Sequence, residues 1–207
     1  MKKIIILACL LFPSLAFAQY YSQPPPGSQF PGGFHNRTGR LMFGFTVGAG
    51  TMASRGDSLD CRDCDYSTLA FEGSAHLGGF LGPRFALMGE GQVNVQTLGS
   101  SFSPETTTQT QAALMLAAQF WITPQLWIKG GLGFATLQVD KSYYGDGIID
   151  ASSIPENGGA IMGAIGYEVL SARYFSIDIQ GRLLNGAYKG IDDNVTAANI
   201  GLGINWF

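Results

Sequence analysis

The chain has 207 residues, 46% apolar and only 13% charged, with a formal net charge of −3. That charged share is about half the usual one, and the sign of the balance excludes a basic nucleic-acid binder. The length suits one domain, while 29 glycines are about twice what an ordinary soluble globule uses.

Residues 1–18 read as a secretory signal. Lys2 and Lys3 precede an apolar core from Ile4 to Phe12, Pro13 breaks it, and Ala16-Phe17-Ala18 places small residues before a cleavage point at Gln19. The core is too short for a spanning helix. A lipoprotein reading through Cys9 would shorten it to about five residues and is set aside. Loss of the signal removes Lys2, Lys3 and Cys9. Cys61 and Cys64 then remain, which fits an oxidising compartment. Residues 19–39 are Pro- and Gly-rich, have no period, and read as a flexible leader.

From residue 40 onward, side chains alternate with a period of two, and eight strands are expected. In the first, Leu41, Phe43, Phe45, Val47 and Ala49 oppose Met42, Gly44, Thr46 and Gly48. The second sets Leu69, Phe71, Ala75 and Leu77 against Glu72, Ser74 and His76. The third sets Leu87, Val93 and Val95 against Glu90, Gln92, Asn94 and Gln96. In the fourth, Ala112, Leu114, Leu116 and Phe120 oppose Gln111, Met115 and Gln119. The fifth opposes Ile128, Leu132 and Phe134 to Lys129, and the sixth Ile161, Ile165 and Tyr167 to Met162, Ala164 and Glu168. In the seventh, Phe175, Ile177, Ile179 and Leu183 alternate with Ser176, Asp178, Gln180 and Arg182. "VTAANIGLGINWF" supplies the eighth.

A soluble β-sandwich or lipocalin-like barrel also alternates. Three features favour a membrane barrel. Connections alternate between short ("LGPR", "TPQ", "SAR") and long, as short periplasmic turns and long outer loops do. Aromatics gather at the short-turn ends: Phe80, Phe85, Phe120, Trp121, Trp127, Tyr167, Tyr174, Phe175, Trp206 and Phe207. They are expected to form the periplasmic half of an interfacial girdle. Ionisable side chains within the strands fall mostly in the register opposite the apolar one. The expected fold is therefore all-β, a closed antiparallel eight-stranded transmembrane barrel over residues 40–207, with the leader 19–39 on the periplasmic side.

The hairpin "GAIGYEVLSARYFSIDIQGRLL", the segment "LGPRFALMGEG" and the aromatic ending after "GLGIN" resemble the small eight-stranded outer-membrane β-barrels. That is the group of the OmpA membrane domain and OmpX, within the broad outer-membrane β-barrel proteins of Gram-negative bacteria. The resemblance implies integral outer-membrane location among outer-membrane lipid and lipopolysaccharide. It also implies a terminal aromatic read by the barrel-assembly machinery. Strict alternation, however, groups Phe207 with Asn199, Gly201, Gly203 and Asn205. Trp206 is therefore the expected anchor, and Phe207 is expected to turn inward.

The interior of an eight-stranded barrel is just wide enough for side chains to fill it. The expected lumen network is Glu72, His76, Glu90, Lys129, Glu168, Asp178 and Arg182. Lys129 is expected to pair with Glu90 or Asp178, and Arg182 with Glu72 or a neighbour. Ser74 and His76 lie about 7 Å apart along one strand face, too far for a nucleophile–base pair without convergence. Cys61 and Cys64 in the first long loop suggest a short disulfide. They lack the four ligands of a structural zinc site. No metal or cofactor is expected, and no nucleic-acid partner.

The expected role is non-enzymatic: structural, or a surface or host interaction through the loops at residues 51–68 and 140–158. A narrow channel or carrier for small solutes is the first alternative, and a lipid A-modifying enzyme the second.

Overall fold

The computed structural model describes residues 37–54, 57–58, 66–67, 69–99, 105–143, 152–189 and 194–207. The signal region, the leader up to residue 36, and Cys61 and Cys64 lie outside them. Eight long strands follow one another: β1 Leu41–Ser54, β2 Ala70–Gly82, β3 Phe85–Gly99 and β4 Glu105–Trp121. They continue as β5 Leu126–Tyr143, β6 Ser152–Ser171, β7 Phe175–Tyr188 and β8 Val195–Trp206. Each pairs antiparallel with the next. β8 then pairs with β1 from Phe43↔Trp206 to Ser54↔Val195, which closes the sheet. Closure matters because hydrocarbon offers no partner to an open edge, so every backbone N–H and C=O must be paired within the sheet.

The period of two becomes an inside and an outside. Phe134 is 80% exposed and Leu114 69%, while Glu90, Asn94 and Gln111 are fully buried. Water-soluble proteins show the reverse and do not expose apolar surface on this scale. This inversion excludes the soluble sandwich, since only a lipid solvent makes it favourable. Inside, polar side chains line β2, β3, β7 and β8, β1 contributes Met42, Thr46 and Met52, and Ala113, Met115, Ala117, Ala135, Ala160 and Met162 give the middle of β4–β6 an apolar wall.

Two bulges interrupt the ladders, at Phe80/Gly82 and Glu168/Leu170. The second leaves Val169 and Leu170 both exposed while Glu168 stays inside. An extra residue on one strand has this effect on the alternation.

The expected loop at 140–158 is shorter than the sequence suggested. β5 and β6 stay paired up to Lys141↔Ser152, and Pro155 lies within β6, opposite Gln138. β6 meets β7 only from Gly158 downward, so Pro155 has a ladder neighbour on one side and its missing N–H is tolerated there. Thr51–Ser54, also expected in a loop, completes β1. Asp57–Ser58 pairs back onto the end of β1, and Tyr66–Ser67 onto the end of β3.

Candidate functional site in the barrel interior

Four of the expected lumen residues form one charged cluster at mid-depth. Lys129 Nζ lies 3.0 Å from Glu90 Oε2, Arg182 Nη1 lies 3.2 Å from Glu72 Oε1, and Arg182 Nη2 contacts Glu90 Oε1. Glu90 on β3 therefore holds two cations, one from β5 and one from β7, across the lumen. Arg182 also donates to Ser74 Oγ (2.6 Å) and Gln92 Oε1 (3.2 Å). All four charges are buried, where each needs both an opposite charge and hydrogen bonds.

Among the described residues, Asp178 makes no direct ion pair, though Lys129 is near enough to act on its charge. Its carboxylate accepts from Asn205 Nδ2 (2.7 Å) and Gln180 Nε2 (3.1 Å), and Gln180 Nε2 also reaches Thr46 Oγ1 at 2.9 Å. His76 faces Gly44 across the β1–β2 ladder. A Cβ at Gly44 would come within 2.7 Å of His76 Cε1 and 2.6 Å of Asn205 Oδ1. The glycine thus makes room for two polar side chains. Nearer the long-loop end, Asn199 Nδ2 donates to Asn94 Oδ1 (2.8 Å), Asn94 Nδ2 to Gln111 Oε1 (3.3 Å), and Gln111 Nε2 to Tyr188 OH (2.9 Å).

Glu168 is not part of the central cluster. It lies at the short-turn mouth and binds Arg37, a residue assigned from the sequence to the flexible leader. Arg37 Nη1 and Nη2 donate to the two Glu168 oxygens, both at 2.9 Å, and Nη2 also donates to Ser171 Oγ at 2.9 Å. The guanidinium carbon stands 3.9 Å from the Phe207 ring centre, with Phe80 at 5.8 Å and Trp121 at 5.6 Å. Trp121 Nε1 donates to Glu168 Oε1 at 2.8 Å. Gly39, at φ 75°, turns the chain so that its N–H reaches Phe80 O at 2.9 Å. Residues 37–39 are thus fastened to the barrel rather than part of a free leader. One sequence signal pointed this way: four inward carboxylates faced only two inward cations, and Arg37 supplies a third.

The aromatic girdle also needs correcting. Phe85, Phe120, Tyr167 and Tyr174 are exposed on the outside, and Trp206 stacks on Phe43 at 5.0 Å beside the partly exposed Phe175. Phe80, Trp121 and Trp127, however, are 1–2% exposed and point inward. Their parity explains this: Trp121 shares the register of Gln119, and Trp127 that of Lys129. Phe207 also turns in, edge-on to Phe80 at 5.5 Å. These rings and Arg37 fill the mouth. Among the described residues, no three His, Cys, Asp or Glu side chains converge as a metal site.

The closed sheet, apolar exterior and inward-facing charged cluster define a small eight-stranded β-barrel, integral to the bacterial outer membrane. The fold is similar to that of Ail, the attachment invasion locus protein of Yersinia pestis. That protein has been solved alone (TM-score 0.56, 13% identity, covering 80% of this chain and 97% of that one). It has also been solved with the heparin analogue sucrose octasulfate (TM-score 0.55, 12% identity, 80% and 96% covered). Neisserial surface protein A matches with a TM-score of 0.49 and 11% identity, over 80% of this chain and 96% of that one. No protein-family profile and no curated protein sequence matches the chain.

Proposed function

We propose that this protein works without catalysis, as a rigid, internally sealed barrel that supports the outer membrane and offers its long hairpins to a surface or host partner. The seal carries the reading. Glu90 bridges Lys129 and Arg182 across the lumen, and Arg37 with Glu168, Trp121 and Phe207 fills the mouth. Ser74 Oγ is engaged by Arg182 rather than by His76, so no activated nucleophile is assembled there. With the interior occupied, the surface left for a partner is the projecting hairpins. Lipopolysaccharide and phospholipid would surround the wall, and the barrel-assembly machinery would act on β8 during insertion.

Charge narrows the kind of partner. The long-loop ends of the strands and the segments that join them carry eleven Asp and Glu against four Lys and Arg. A polyanion such as the heparin analogue crystallised with Ail has the wrong sign for these hairpins, and a basic surface has the right one. The test is adhesion of cells displaying the wild type or a variant with residues 59–65 and 144–151 replaced by short Gly-Ser turns. Loss of adhesion to basic host-matrix proteins, with the barrel still folded, is the expected result. Unchanged adhesion would sink the proposal. Steady unit conductance in planar bilayers would replace the sealed barrel by a channel. An altered lipid A profile in a deletion strain would replace it by an enzyme.

A further inference from the structure

Charge is distributed along the barrel axis in a way the loop reading does not use. Among the described residues, Glu72, Glu90, Glu168 and Asp178 face the lumen, Asp140 and Glu156 lie toward the long-loop ends of β5 and β6, and no Asp or Glu is exposed at the short-turn end. That end instead carries Arg40, Arg84 and Arg173. Arg40 and Arg173 meet at one ring: their guanidinium carbons stand 6.0 Å and 5.3 Å from the ring centre of Tyr174, which is 59% exposed. Arg40 Nη1 donates to the Arg173 carbonyl at 2.9 Å, which pins it beside the turn. Among the described residues, neither guanidinium has an Asp or Glu partner. Just above the turns the wall is apolar, with Leu81, Ile122, Val169 and Leu170 exposed. The two cations therefore lie at the boundary between hydrocarbon and headgroups, on the periplasmic side.

We propose that Arg40, Arg173 and Tyr174 form a docking site for the phosphate of an anionic phospholipid in the periplasmic leaflet. A guanidinium presents a planar fork that matches phosphate oxygens. A half-exposed tyrosine at this depth keeps its ring in the interface and holds both cations near its face. Headgroup phosphates are the anions that a membrane places at this height. The site is independent of whatever the hairpins bind.

The test is native mass spectrometry of the mature protein released from detergent micelles doped with dioleoylphosphatidylglycerol or dioleoylphosphatidylcholine. The wild type is expected to retain phosphatidylglycerol preferentially. R173Q should weaken that retention about fivefold and R40Q/R173Q further, since each basic side chain at an anionic surface contributes roughly that factor. R40K/R173K, which keeps charge but loses the fork, should fall between. Heat-modifiable gel mobility reports folding. If the double variant fails to shift, R173Q alone decides, because among the described residues the Arg173 side chain makes the Tyr174 ring contact and no hydrogen bond or ion pair. Equal retention of both lipids by the wild type, or unchanged phosphatidylglycerol retention in R173Q, would overturn the site. Arg173-dependent sedimentation with peptidoglycan sacculi, without lipid preference, would assign the rim to the cell wall instead.

Discussion

Replacing Arg37 by Met removes a buried guanidinium and leaves the Glu168 carboxylate inside the mouth, with Trp121 Nε1 as its remaining side-chain donor at 2.8 Å. Two hydrogen bonds of 2.9 Å to that carboxylate are lost at once. Stranding one partner of a buried ion pair costs about 3–5 kcal/mol, and the lost stacking on Phe207 adds about 1 kcal/mol. E168Q should destabilise similarly, because it strands the cation. R37M/E168Q carries no stranded charge, so it should recover most of the loss, giving a coupling energy of about 3 kcal/mol. The assay is urea titration of the protein in phosphatidylcholine vesicles, followed by tryptophan fluorescence and gel mobility. Trp121 and Trp127 lie close enough to the mouth to report on it. A cost for R37M below about 0.5 kcal/mol, or the same cost in the E168Q background, would show that Arg37 is not seated there.

Glu90 and Asp178 should differ sharply. E90Q strands Lys129 and leaves Arg182 with Glu72 as its carboxylate partner, and should cost about 3–5 kcal/mol. D178N, whose carboxylate makes no direct ion pair among the described residues, should cost about 1–2 kcal/mol for a weakened hydrogen bond in the same titration. Gly44→Leu would drive a side chain into Asn205 and His76 and should cost about 1–3 kcal/mol. Gly163→Ala meets nothing within 4 Å, so it should stay within about 0.5 kcal/mol. Leu132→Arg puts a cation on the lipid face and should cost about 2–4 kcal/mol in vesicles. A neutral result there would remove that stretch from the hydrocarbon band.

The strands were readable because each has one face in lipid and one in the lumen, and a period of two records that contrast directly. The signal fades toward the long loops, where outward positions become polar. Gln138 is exposed and bonds to the half-buried Asp140 (3.1 Å), and Pro155 reads as a turn although it lies in β6. Lumen residues were readable by parity, but parity was not carried to the short-turn ends. Phe80, Trp121 and Trp127 lie near the turns, as girdle residues do, yet their register points inward. Arg37 was hidden for another reason. Its partner is 131 residues away, in a pairing that exists only once the sheet closes, and no local pattern marks it.

The seat of Arg37 has an implication for the order of events in assembly. Phe80 comes from β2, Trp121 from β4, Glu168 from β6, and Phe207 follows β8. No partial sheet contains that whole set, so the seat is complete, Phe207 included, only after the last hairpin has docked and β8 has met β1. Contacts this distant in sequence form late, because the chain between them must first be ordered. Closing the seat of Arg37 is therefore a finishing step: a barrel halted one strand short would lack the Phe207 ring on this arginine.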